Sequence, residues 1–315
     1  MAATDSSLPG LLTPSLAYKP FRYPWAYDFW KKQQQVHWMP EEVPLGEDCK
    51  DWAVKLSDAE RNLLTQIFRF FTQSDVEVGA NYMEHYMPLF KPVEVSMMLS
   101  SFSNMETIHI AAYALLLETI GMPDSEFSAF MEYKEMAAKH DYLGQFDTKT
   151  NEDIAVSMAV FGAFTEGLQL FASFAMLMNF PRFNKMKGMG QIVSWSVRDE
   201  SLHCEGMIKL FHTFCAETGV MNDELRERIR ECCRTVVSLE DKFIELAFEM
   251  GSKSARVFLS AMAFSLIQNI SIIKRLIRFV HTNTSDAKPL PRTGPQMASF
   301  HIAPRNKSKK GTGSG

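Results

Sequence analysis

The strongest constraint in this chain lies on one face of one helix. From Val95, apolar residues recur three and four apart at Val95, Leu99, Phe102, Leu116 and Ile120, and the rungs between them are Glu106, His109 and Tyr113. Positions three and four apart share a helix face, so a carboxylate, an imidazole and a phenol project together into an apolar interior. A buried, unpaired carboxylate is costly, and such groups are normally paired or bound to a metal. The pattern recurs in the ladder Val193, Val197, Glu200, His203, Met207, Leu210 and Phe214. Two Glu-x-x-His pairs on inward-facing helices are half of a carboxylate-bridged di-iron site.

The other half requires two more helices. Ser57-x-x-Glu60 is a capping box, and the apolar positions Leu64, Phe68 and Phe71 that follow it lead to Asp75 on the same face. Glu77 and Glu84 stand close by as rival carboxylates. The stretch 155–180 is almost wholly apolar with Glu166 at its middle. The candidate metal ligands are therefore Asp75, Glu106, His109, Glu166, Glu200 and His203. Hard oxygen and borderline nitrogen donors suit iron or manganese.

Composition closes off other classes. The chain has 315 residues, 46% hydrophobic and 22% charged, with a net charge of −4. That is an ordinary globular balance, and the charge is too small to imply a nucleic-acid partner. No Gly-rich phosphate loop occurs, and the five cysteines show no zinc spacing. An odd cysteine count without a leader predicts a reduced, cytoplasmic setting. The 155–180 stretch is long enough to suggest a membrane span, but Thr165, Glu166 and Gln169 at its centre favour a buried core helix and no membrane.

Periodicity is helical almost throughout from Ser57 to about Ile277, and no convincing strand appears. The prediction is an all-α bundle in three parts: an aromatic, Pro-punctuated arm over 1–50, a helical domain over 51–280, and a basic, Pro-bearing tail over 281–315 that reads as disordered.

With these residues in place, the chain resembles the radical-generating small subunit of class I ribonucleotide reductase, a ferritin-like fold. The motifs that carry the resemblance are Phe102-Ser-Asn-Met-Glu106-Thr-Ile-His109-Ile-Ala-Ala-Tyr113 and Val197-Arg198-Asp199-Glu200-Ser-Leu-His203. Trp38-Met-Pro-Glu41-Glu42-Val43 and Gln73-Ser-Asp75 add weaker support. The resemblance runs from about Tyr18 to about residue 250. It implies two iron ions per chain, one held by Asp75, Glu106 and His109 and the other by Glu166, Glu200 and His203, with Glu106 and Glu200 among the bridges. It implies that O2 activation at this centre oxidises Tyr113 to a stable radical. Trp38 would pass an electron to the metals, and Asp199 would link a metal-bound histidine to Trp38. It further implies a homodimer that serves a large subunit reducing ribonucleotides to deoxyribonucleotides. Leu170 and Phe174, four and eight positions past Glu166, are expected to help shield the radical.

Two departures qualify this. No tyrosine follows Tyr142, and the sequence after about Gly251 looks unlike the family, so docking and radical transfer to a large subunit are expected to be weak or absent. Ser196, four residues before Glu200, places a hydroxyl where an aliphatic side chain is expected. Two other classes stay open: a stand-alone di-iron oxidase or oxygenase, and a metal-binding protein unable to pass a radical.

Overall fold

A computed structural model describes residues 10–248. Among these residues there is no strand, and the chain runs through a succession of helices. The first long one, α1 (Pro24–Gln35), belongs to the aromatic arm and packs on the helix that carries Glu106. The predicted capping box starts α2 (Asp58–Asn81): Ser57 Oγ accepts from Glu60 N at 3.3 Å, and Glu60 Oε2 accepts from Ser57 N at 2.8 Å. α3 (Val93–Ile120) begins after Pro92 and stops at Gly121, whose φ of +76° is a left-handed conformation that glycine adopts without strain. Its whole predicted ladder is buried, polar rungs included. α4 (Lys134–Leu143) follows.

The apolar stretch is not one regular helix. α5 (Asn151–Ala159) passes into a π-helical segment (Val160–Gln169) and then α6 (Leu170–Leu177). Glu166 sits inside the π segment. The whole run is apolar and long enough to cross a membrane, but its apolar window is wholly buried within the protein. Gly162 lets the π segment lie against the next helix, because a Cβ there would come within 2.5 Å of Met207 Cβ. Another π turn, Tyr82–Tyr86, follows directly on α2. π turns concentrate at functional sites, and periodicity alone does not reveal them.

α7 (Lys187–Thr218) carries Glu200 and His203. Its first turn is fixed by buried Asp48 and Asp51: Asp48 accepts from Gly188 N and Met189 N at 2.8 Å each, and Asp51 accepts from Met186 N at 2.8 Å. Anionic side chains complement the positive end of a helix. α8 (Asp223–Ala247) is capped by Asn222, whose Oδ1 accepts from Leu225 N at 2.7 Å. The boundary expected at residue 280 and the tail 281–315 lie outside the described residues.

Buried residues form two apolar cores. One contains Tyr82, Tyr86 and Phe102; the other contains Trp38, Phe71, Tyr113, Leu170 and Phe174. A buried ion pair borders the second core. Lys139 on α4 meets Glu240 on α8, with its ammonium 3.5 Å from the Phe70 ring centre and 4.5 Å from that of Phe243. Burial lowers the Lys139 pKa and raises that of Glu240. Breaking such a pair strands a charge, whereas replacing both members can be neutral. Lys139→Met is therefore expected to cost about 3–5 kcal/mol in chemical denaturation, and Lys139→Met with Glu240→Leu to recover most of it. Equal loss in both variants would disprove the stranded-charge account.

Candidate metal centre

Four helical segments converge on one buried polar layer. Asp75 comes from α2, Glu106 and His109 from α3, Glu166 from the π segment, and Glu200 and His203 from α7. All six are at most 1% exposed. Two tight groups form: Glu106, His109 and Glu200, and Glu166, Glu200 and His203.

Glu106 and Glu200 each reach both imidazoles. Glu106 presents Oε2 to His109 Nδ1 at 3.5 Å and Oε1 to His203 Nδ1 at 3.0 Å. Glu200 presents Oε1 to His109 Nδ1 at 3.1 Å and Oε2 to His203 Nδ1 at 3.3 Å. One oxygen per histidine is the disposition of a bridging carboxylate. Glu166 flanks one side, with Oε2 at 3.9 Å from His203 Nδ1. Asp75 stands outside the two tight groups, and His109 is the charge that most lowers its pKa.

The rivals to Asp75 are otherwise engaged: Glu77 pairs with His140, and Glu84 is exposed. Both oxygens of Asp75 are buried without a hydrogen-bond partner, as are both of Glu106, both of Glu200, Oε2 of Glu166 and both ring nitrogens of His203. Buried polar atoms are almost always satisfied, so this set of donors fits a bound metal ion as its partner. The charges agree too. Asp75, Glu106, Glu166 and Glu200 together balance two divalent ions.

Electrostatics show the cost of that layer without metal. Burial raises the pKa of Asp75 and Glu166 well above the carboxylate range, and neighbouring carboxylates add to it. Burial would raise Glu106 too, but the His109 and His203 imidazoles facing it hold it below its usual value. For the histidines, burial acts downward and is outweighed. Asp199, Glu106 and Glu200 raise His109, while Glu106 and Glu200 raise His203 to about 10. A metal must displace the Nδ1 protons. Affinity for Mn²⁺ is therefore expected to rise with pH, about tenfold per unit for each proton displaced. Titration calorimetry from about pH 6 to about pH 8 measures this. An affinity independent of pH would remove the imidazoles from the ligand set.

A hydrogen-bonded chain leads away from His109. Its Nε2 lies 3.4 Å from Asp199 Oδ2, which also accepts from Trp38 Nε1 at 2.8 Å. Asp199 further accepts from Gln33 Nε2 and Arg198 Nε, each at 3.3 Å. Burial would raise Asp199, yet these partners, His109 foremost, keep it lowered. An ionised Asp199 holds the His109 proton on Nε2 and so turns the Nδ1 lone pair inward. Arg198, the preceding residue, is thus one of several partners of Asp199.

Tyr113, one turn past His109, is completely buried. Its hydroxyl is 3.5 Å from Ser196 Oγ, which donates to Ile192 O at 3.1 Å. Phe71 packs edge-on against its ring at 4.7 Å, and Phe174 packs on Phe71 at 5.2 Å. Burial first and the Asp75 charge second raise the Tyr113 pKa well above its normal value.

One close neighbour escaped the sequence reading. Tyr82 OH donates to Glu166 Oε1 at 2.7 Å. The signal existed, since Tyr82 lies seven residues after Asp75 on the same helical face.

Comparison with known proteins places the chain in a family. The chain matches the ribonucleotide reductase small chain family over residues 15–274. It is 45% identical over 251 residues to the "Probable ribonucleoside-diphosphate reductase small subunit 376L" of Invertebrate iridescent virus 6, covering 74% of this chain and 70% of that protein. The chain belongs to the ribonucleotide reductase small chain family. A second viral relative, the small subunit 048L of Invertebrate iridescent virus 3, is 42% identical over 76% of this chain and 69% of its own length. In fold, the chain is similar to the ribonucleotide reductase R2 subunit from Clostridium botulinum, with a TM-score of 0.72 at 22% identity, covering 83% of this chain and 85% of that one.

Membership corrects one expectation. The small-chain match continues to residue 274, past the Gly251 limit read from the sequence. The apolar stretch beyond Gly251 carries no ligand motif from which the likeness could be read. It lies outside the described residues.

Proposed function

We propose that this small chain binds two iron ions at Asp75, Glu106, His109, Glu166, Glu200 and His203, and that O2 activation there oxidises Tyr113 to a radical for use by a large ribonucleotide-reducing subunit. The single observation that carries the reading is the pair Glu106 and Glu200, each facing both imidazoles with one oxygen apiece. Manganese is compatible with the same donors. Family membership supports a large-subunit partner.

When bound, the metal pair supplies the oxidising power by reducing O2. The protein's own residues supply the rest. Four buried carboxylates would neutralise the cations. Asp199 orients His109 and joins it to Trp38, whose ring centre lies 6.1 Å from that of His109. Trp38 is thereby placed to deliver an electron to the centre. Tyr113, like any tyrosine, keeps its proton at neutral pH, and burial raises its pKa further. Its oxidation therefore removes an electron and the phenolic proton together. Ser196, whose own hydrogen points to Ile192 O, offers a lone pair toward that proton. Phe71, Leu170 and Phe174 exclude water and reductants from the ring.

Reconstitution with ferrous iron, with and without O2, tests the reading by electron spin resonance. An organic radical signal should appear only with O2. A metal-loaded protein that never forms it would overturn the radical assignment.

A further inference from the structure

Tyr82 and Glu166 meet across the site from two different π segments. Tyr82 opens the turn Tyr82–Tyr86, and Glu166 lies within Val160–Gln169. A π turn shifts the helical phase by inserting a residue, at a cost in hydrogen-bond geometry. Here both irregular segments supply one member of the same short bond. The Tyr82 ring is 1% exposed and lies edge-on to His203 at 6.4 Å and to Phe102 at 6.2 Å. These neighbours leave the phenol little freedom to turn away.

The two oxygens of Glu166 are thus unequal. Oε1 is taken by the tyrosine at 2.7 Å, while Oε2 is buried, unpartnered and 3.9 Å from His203 Nδ1. Glu106 and Glu200 have no such restraint, because both of their oxygens face the histidines. Asp75 has both oxygens unpartnered and no neutral donor. Of the four candidate carboxylate ligands, only Glu166 has one oxygen held by a neutral donor.

We propose that Tyr82 is a positioning residue that fixes Glu166 as a one-oxygen ligand to the metal on the His203 side. A carboxylate with two free oxygens can bind a cation through both or slide between modes. One whose second oxygen accepts a short hydrogen bond is held in a single mode. The two metal positions then differ by construction: the side facing His203 has a tethered terminal carboxylate, and the side facing His109 has a free one in Asp75. This inference rests on the two-metal reading above.

Cobalt(II) titration separates the two ideas, because its visible bands report coordination number and it needs no O2. Wild type should bind two Co²⁺ ions per chain, one for each close group. Failure of that step would sink the two-metal reading and leave no ligand for Tyr82 to position. Tyr82→Phe should keep the ring packing, weaken one of the two binding steps by about 10–100-fold and alter the band intensity of that site alone. In a Glu166→Gln background, the same change should have no further effect on binding. If wild type binds two ions and Tyr82→Phe binds both with unchanged affinity and spectrum, the proposal is wrong. Circular dichroism of the metal-free proteins covers the remaining case. If Tyr82→Phe unfolds with Glu166 or with Gln in its place, the tyrosine serves packing only, and the proposal is again wrong. If it unfolds only with Glu166, the tether is supported.

Discussion

Glu106→Ala or Glu200→Ala should leave the purified protein with fewer than one metal ion per chain, against two in the parent, one for each close group. Each of these carboxylates spans both imidazoles, so losing either damages both positions. Asp75→Ala and Glu166→Ala provide the contrast. Each flanks one side and should cost one ion. The variants should fold, because the metal-free site suffers from mutual repulsion and burial of its carboxylates. Removing one relieves part of that. Thermal melting gives an independent check. A ligand present at about a hundred times its Kd stabilises the folded state by about 2.7 kcal/mol. That metal-dependent increment should be present in the parent and absent in Glu106→Ala. Full occupancy in both bridging variants would remove them from the centre.

Tyr113→Phe should abolish the radical signal completely while leaving both metals bound. The phenylalanine ring fills nearly the same volume, so stability should change by less than about 1.5 kcal/mol. The edge-on packing of Phe71 at 4.7 Å needs only the ring. The lost hydroxyl has a single weak contact, 3.5 Å from Ser196. Metal analysis and absorption spectra of the oxidised centre should match the parent, and electron spin resonance should not. A variant that keeps the parent's radical spectrum would place the radical on another side chain. Tyr82 is the first alternative, since it is buried against the same site.

The sequence alone determined which side chains share a buried face. Helical periodicity is local and regular, so Glu106, His109 and Tyr113 could be placed together on α3, and Glu200 and His203 on α7. Burial then followed from the apolar rungs around them. The all-α class followed from the same regularity. What the sequence left open is decided by contacts between segments far apart in the chain. Asp75 and Glu77 are two residues apart, and only the packing of α4 gives Glu77 a partner in His140. Asp199 could have served Arg198 alone, and only the placement of α1 and the Trp38 segment adds Gln33 and Trp38 to it. The π segments Tyr82–Tyr86 and Val160–Gln169 are invisible to a 3.6-residue period because each one shifts it. Tyr82 was missed although its spacing from Asp75 was legible, because only the packing of the Glu166 segment shows what its hydroxyl meets. Which carboxylate oxygen faces which nitrogen is likewise a tertiary fact. A sequence fixes the order of side chains along each helix, but the distances between helices arise only when their apolar faces pack.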